Sequence, residues 1–232
     1  SGCFVDATAD ALRDVAETKQ ALTTTINPPV GWTSFRVYIG RELNGNIWVQ
    51  YKSTWDGNGT CDTPRQIGAN NALYNRTYVN GSSGADEFYV MSAGAPSFIQ
   101  PCTQTLIGIL GNPKLQLFGL GGSDIMMSDG VNDSLQVDGG DGIDYMLVGD
   151  AYAIWGGSGT NTDWMIGMTP THTVMAGESG DDLCCAYDDA LGCDGGLGSD
   201  ASWGGPYFQQ TSVENQSIPS DGCDLALDFV ME

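Results

Sequence analysis

The chain has 232 residues, 41% of them hydrophobic, and a formal net charge of −21 at pH 7 from 8 basic and 29 acidic side chains. This acidity argues against nucleic acid as a partner, because phosphates are bound by Lys and Arg, and against anionic membrane surfaces. No run of about 18 apolar residues is present, so we predict no membrane insertion.

Residues 1–76 predict a small N-terminal α+β cap. Residues 6–22 have one apolar stripe at helical spacing and Asp6 as a capping residue, which predicts a helix. Residues 34–52 alternate apolar and polar side chains on both sides of Asn44-Gly45, which predicts a hairpin. Such a cap would cover the open strand edges at the end of a repeat structure.

Residues 77–205 contain one short unit that is repeated along the chain. Five clear copies begin with Gly and end with Asp, at 81–86, 119–124, 139–144, 177–182 and 195–200, and a looser copy at 156–163 has two extra residues. From Asp124 to Asp200 the aspartates are separated by 20, 19, 19 and 18 residues. Asp86 lies 38 residues before Asp124, which we interpret as two such steps. This regularity is typical of stacked repeats.

Apolar segments occur twice as often as the aspartates, about every ten residues, which fits a short strand and a tight turn. Two of them, Phe98-Ile99 and Leu106–Ile109, lie between Asp86 and Asp124 and predict one further circuit there. Each repeat therefore contributes two strands, and the chain is predicted to wind as a flattened, mainly β solenoid.

The copies 139–144 and 195–200 match the first six positions of the pattern G-G-x-G-x-D-x-U-x, where U is a large apolar residue. In this respect residues 78 to 205 resemble the RTX (hemolysin-type) proteins. The resemblance implies a parallel β-roll with calcium ions held between adjacent turns. The chain departs from the family in a slightly longer circuit and in carrying the motif on alternate turns only, as in a one-sided roll.

Calcium prefers six to eight oxygen ligands, which carboxylates and backbone carbonyls supply, and glycines let a turn curl its carbonyls inward. The charge distribution favours the same ion, because residues 1–76 have no net charge whereas 77–232 carry all of it. Stacked like charges repel, and a divalent ion would offset that repulsion. The alternative is that these are simply solvated Asp/Gly turns. The candidate calcium ligands are Asp86, Gly119, Gly122, Asp124, Gly139, Asp141, Gly142, Asp144, Gly157, Gly159, Asp163, Gly177, Gly180, Asp182, Gly195, Gly198 and Asp200.

The seven cysteines include no C-x-x-C pair, and a single histidine, His172, leaves no zinc constellation. A calcium motif indicates an extracellular or cell-surface protein, where disulfides persist. A start at Ser1 without Met predicts that a signal peptide has been removed. Cys184 and Cys185 should point to opposite faces of a strand, the inward one as core filling and the outward one available to join chains. The pairing of the cysteines stays open.

No nucleophile elbow, H-E-x-x-H helix or P-loop is present, so we expect no enzyme. Residues 206–232 predict a capping tail with a last strand over 225–231, which could instead pair with a neighbouring molecule. We therefore expect a structural, adhesive or matrix protein that forms a homo-oligomer or filament. The alternative is a module that binds or acts on surface glycans, because acidic pairs and several Trp residues are present. An ice-binding surface is disfavoured by the lack of a regular Thr array.

Overall fold

A computed structural model describes residues 24–41, 46–53, 60–63, 65–69, 76–90, 114–131, 135–168, 173–187, 192–204, 209–213, 215–216 and 223. These residues are almost entirely β and include no helical element. The predicted helix over 6–22 and the predicted last strand over 225–231 lie outside this part of the chain. Among the described residues, no helix is long and apolar enough to cross a membrane.

The strands are short, and those between residues 77 and 203 follow the apolar segments of the sequence. In chain order they are β1 (Thr24–Ile26), β2 (Arg36–Arg41), β3 (Asn46–Lys52), β4 (Arg65–Ala69), β5 (Thr77–Asn80), β6 (Glu87–Val90), β7 (Leu115–Phe118), β8 (Ile125–Val131), β9 (Gln136–Asp138), β10 (Tyr145–Asp150), β11 (Ala153–Gly157), β12 (Trp164–Gly167), β13 (Val174–Glu178), β14 (Leu183–Ala186), β15 (Gly192–Asp194), β16 (Ala201–Trp203), β17 (Gln209–Thr211) and β18 (Asn215–Gln216).

The strands form two sheets, and from β4 onward the chain passes alternately from one to the other. The eight-stranded sheet has the order β1-β5-β7-β9-β11-β13-β15-β17, and the ten-stranded sheet has the order β18-β16-β14-β12-β10-β8-β6-β2-β3-β4. From β5 to β18 every neighbouring pair is parallel, as in β10 with β12 and β11 with β13. We call two strands and their two connections a circuit. The prediction of parallel strands, two per repeat, is confirmed.

The N-terminal strands extend both sheets. β1 pairs parallel with β5, and β2 pairs parallel with β6. The predicted hairpin is confirmed in its strands, since β2 and β3 are antiparallel, while residues 42–45 at its turn lie outside the described part. β4 then pairs antiparallel with β3.

The predicted circuit between Asp86 and Asp124 is wrong. β5 pairs directly with β7 and β6 directly with β8, so no further circuit lies between them. The 38-residue interval therefore adds no strand between β5 and β7 or between β6 and β8. Its predicted strands at 98–99 and 106–109 lie outside the described residues.

The core lies between the two sheets and is built from stacked rows of inward side chains. One row runs along the ten-stranded sheet and includes Phe88, Met126, Met146 and Met165, all fully buried. Each such side chain stabilises the fold by about 1.5–3 kcal/mol relative to exposure. Parallel pairing in register stacks like positions on like positions, so the same few apolar positions of each circuit fill the core, as Leu135, Val137 and Met146 do in one of them.

Two disulfides close the C-terminal circuits. Cys184 points inward and pairs with Cys193 across the core, whereas Cys185 points outward and pairs with Cys223. The opposite orientation of the two cysteines is confirmed. The outward cysteine does not join chains, because Cys223 of the same chain occupies it, and the inward one is more than core filling. Cys61 is also disulfide-bonded.

A candidate metal-binding row of aspartates

Six of the turns that lead from the eight-stranded sheet to the ten-stranded sheet end on an aspartate, directly before β6, β8, β10, β12, β14 or β16. Because these strands pair in parallel and in register, their preceding residues lie side by side. The aspartates are at most 2% exposed. We call this set the aspartate row; it consists of Asp86, Asp124, Asp144, Asp163, Asp182 and Asp200.

One carboxylate oxygen of each aspartate connects neighbouring circuits. The backbone N–H of Asp124 donates to Oδ1 of Asp144 at 2.8 Å, and the N–H of Asp144 donates to Oδ1 of Asp163 at 2.9 Å. The same bond recurs at every step from Asp86 to Asp200, at 2.7 to 2.9 Å. The row therefore joins the circuits without any ion.

The second carboxylate oxygen has a different environment. Oδ2 of Asp124, Asp144 and Asp182 is buried and has no hydrogen-bond partner. A buried charged oxygen without a partner is costly, so these three atoms require an explanation.

The unpartnered oxygens face the first glycine of their own turn. A Cβ atom on Gly119 would collide with both Oδ2 of Asp124 and the carbonyl oxygen of Gly139 in the next circuit. The same geometry recurs at Gly139, where a Cβ would lie 2.5 Å from Oδ2 of Asp144 and would also meet the carbonyl oxygen of Gly156. The glycine is required here because carboxylate and carbonyl oxygens converge on the space that a side chain would fill.

Burial changes the acidity of the row. Loss of solvent raises the pKa of Asp124 from its ordinary 3.8 to about 8, and that of Asp144 to about 7, although the N–H bond to each lowers it. The neighbouring carboxylates raise the pKa of Asp124 further. Burial likewise raises the pKa of Asp163 and Asp182 to about 7. Without a counter-ion, the row resists ionisation near neutral pH.

The second residue of most turns is left-handed, with φ of 75° at Leu120, 96° at Gly140, 130° at Gly157, 68° at Glu178 and 86° at Gly196. Glycine adopts this conformation without strain, which explains the second Gly of the motif. Leu120 and Glu178 adopt it at a cost of about 1–2 kcal/mol each.

The fourth-position glycines are required for close packing. A Cβ on Gly142 would collide with the carbonyl oxygen of Gly122, and one on Gly198 would collide with that of Gly180. Their contribution is therefore to let adjacent turns stack closely. Asp141 lies apart from the row: its side chain is exposed, and Oδ1 accepts a hydrogen bond from the Ser158 hydroxyl at 3.1 Å.

We call the first glycine of each turn, such as Gly119 or Gly139, its corner glycine. In the longer turn the corner glycine is Gly156. A Cβ there would lie 2.8 Å from Oδ2 of Asp163 and 2.9 Å from the carbonyl oxygen of Gly177. Gly157 is the left-handed second residue, and Gly159 has no neighbour closer than 3.5 Å to such a Cβ. Gly156 is not among the ligands predicted from the sequence. Its place directly after the preceding apolar segment would have identified it, because the two extra residues of this turn separate it from Asp163.

The donor set suits a hard cation. It consists of oxygen atoms only, from buried carboxylates and from the carbonyl groups of the corner glycines, which is the ligand type that Ca²⁺ prefers. Each turn supplies one buried aspartate, and the described residues contain no group of three or more His, Cys, Asp or Glu of metal-binding arrangement. Carbonyl oxygens would therefore have to provide a large share of the ligands of such a cation.

No family model, curated protein or solved structure matches this chain.

Proposed function

We propose that the protein is a secreted, calcium-stabilised β-roll with a structural, adhesive or extracellular-matrix role. The observation that carries the proposal is the set of buried, unpartnered Oδ2 atoms on Asp124, Asp144 and Asp182. A calcium ion beside each would supply the missing partner and neutralise the charge that burial disfavours. The ion would stabilise the stack, and the stack itself would be the functional object.

Two features support an extracellular setting and an extended assembly. Disulfides such as Cys185–Cys223 persist in oxidising compartments.

Among the described strands, β18 and β4 terminate the ten-stranded sheet at opposite ends. Because β4 is antiparallel to β3 and β3 is antiparallel to β2, β4 runs in the same direction as β18. The two ends therefore match for parallel pairing between molecules, which favours end-to-end association.

The calcium proposal is tested by comparing two variants of a single turn. Asp144→Asn removes the charge of a buried row member, whereas Asp141→Asn removes the same charge from an exposed position and keeps an oxygen for Ser158. We expect wild type and Asp141→Asn to bind calcium with equal stoichiometry by isothermal titration calorimetry, and Asp144→Asn to bind less.

The sign of the stability change gives a further check on Asp144→Asn. Without calcium the variant should be more stable than wild type at neutral pH, because the neutral amide avoids a buried charge and donates to the facing carbonyl group. With calcium it should be less stable, because it lacks a charged ligand. Urea denaturation with and without calcium measures both stability differences. A wild-type chain whose urea midpoint is unchanged by calcium would contradict the proposal.

Assembly is tested separately by negative-stain microscopy and light scattering at several protein concentrations in millimolar calcium. Filaments or oligomers that grow with concentration are expected. Monodisperse single particles at every concentration would exclude the assembly part of the proposal and leave the calcium part intact.

A second candidate function, glycan binding, is favoured by aromatic pairs on the outer face of the ten-stranded sheet. Tyr145 and Trp164 lie 5.3 Å apart between ring centroids, as do Tyr187 and Trp203. Aromatic rings of this kind can stack on sugars. A glycan array compares wild type with Trp164→Ala, and binding that the substitution abolishes would favour this candidate.

A further inference from the structure

The turns of the aspartate row are not equivalent, and the difference lies at Oδ2. In the turn that ends at Asp86, Oδ2 accepts hydrogen bonds from the backbone N–H of Ser82 at 2.6 Å and from its hydroxyl at 2.9 Å. In the next two turns, Oδ2 of Asp124 and of Asp144 has no such partner. The protein itself therefore satisfies the first carboxylate and leaves the following two unsatisfied.

The backbone of the second residue explains this difference. Leu120 and Gly140 are left-handed at this position, whereas Ser82 is not. The N–H of Gly140 consequently donates to the carbonyl oxygen of Gly156 at 3.1 Å, and it is not available to the carboxylate of its own turn. Ser82 instead directs its N–H and its hydroxyl at Asp86, in the place where a cation would otherwise be needed.

The neighbourhood of the two kinds of turn differs as well. Oδ1 of Asp86 accepts the N–H of Phe35 at 3.0 Å, so this end of the row is bonded to the part of the chain that has no net charge. Asp124 and Asp144 have a buried aspartate on either side. Repulsion between like charges is therefore stronger at Asp124 and Asp144 than at Asp86, and a divalent ion would offset more of it there.

Building on the proposed function, we infer that the row does not bind cations uniformly: the first cation site lies between the turns of Asp124 and Asp144, and the turn of Asp86 binds none. The ligands of the first site include Oδ2 of both aspartates and the carbonyl oxygens of Gly139 and Gly156. Ser82 replaces the ion in the Asp86 turn.

Native mass spectrometry of the full chain in calcium counts the ions retained per folded molecule. We expect Asp144→Asn to retain at least one ion fewer than wild type and Asp86→Asn to retain the same number. Ser82→Ala gives the second test of the first turn and should also leave the count unchanged. Loss of an ion from both Asp86→Asn and Ser82→Ala, or an unchanged count in Asp144→Asn, would overturn the inference.

Hydrogen exchange on the wild-type chain provides a measurement that no substitution can disturb. Calcium should slow exchange of the amides in residues 119–124 and 139–144 and leave that of Ser82 unchanged, because its acceptor is a protein carboxylate. Equal dependence on calcium at Ser82 would count against the inference. A wild-type chain that retains no ion at all would instead refute the proposed function, so the two failures are distinguishable.

Discussion

Removing divalent ions and raising the pH should destabilise this protein strongly. Burial raises the pKa of Asp124 to about 8 and the pKa values of Asp144 and Asp182 to about 7, from an ordinary 3.8. Between these values the folded chain binds more protons than the unfolded chain. The free energy of unfolding of the metal-free chain is therefore greatest at acidic pH. The contribution of these carboxyl groups is lost as the pH rises through about 7 to 8.

The expected size follows from the shifts. One pKa unit corresponds to about 1.4 kcal/mol, so a shift of about three units is on the order of 4 kcal/mol for one carboxylate. A folded domain is stable by only about 5–15 kcal/mol. Loss of this contribution at two or three positions of the row is thus enough to unfold the metal-free stack in alkaline solution.

The assay is urea denaturation of chain stripped with a chelating resin, at about pH 5 and about pH 8, each with and without millimolar calcium. We expect the metal-free midpoint to fall between these pH values and calcium to restore it at the higher one. His172→Gln is the control, because an unperturbed imidazole titrates in this same window. Equal metal-free midpoints at both values, or a higher one at about pH 8, would refute the reasoning.

Three further outcomes follow from the turns and the disulfides. Gly119→Ala should cost about 1–3 kcal/mol in urea denaturation because its methyl group would collide with two oxygens, whereas Gly121→Ala, with no neighbour closer than 3.8 Å, should be nearly neutral. Leu120→Gly should raise the thermal midpoint, because it relieves about 1–2 kcal/mol of left-handed strain at a half-exposed position; an unchanged or lower midpoint would contradict this. Replacing Cys185 and Cys223 together by Ala should cost about 2–4 kcal/mol, and an unaltered urea midpoint would contradict a stabilising role.

The parallel strands and the alignment of the aspartates were predictable because each aspartate stands directly before an apolar strand. Once those strands pair in register, Asp144 and Asp163 must lie side by side. The contact between Asp86 and Asp124 was not predictable, because an insertion and an extra circuit give the same spacing along the chain. Only the pairing of β6 with β8 distinguishes them.

The hydrogen bonding of the individual carboxylate oxygens also could not be predicted from the sequence. Ser82 and Leu120 occupy the same position of their turns, yet one donates to the carboxylate and the other is left-handed. Nothing in the two residue types alone determines this, since it depends on the backbone conformation that each turn adopts. The pairing of Cys184 with Cys193 was open for a related reason, because it depends on which inward positions face each other across the core.

The two carboxylate oxygens of Asp124, Asp144 and Asp182 have separate tasks. Oδ1 of Asp144 accepts the N–H of Asp124 and so fixes the register of adjacent circuits whether or not an ion is present. Oδ2 faces a carbonyl oxygen, and two acceptors can be reconciled there by a proton or by a cation. Under the proposed function, protons and calcium would therefore compete for one location. An acidic metal-free form and a neutral calcium form should share the same backbone, while a neutral metal-free form should not persist.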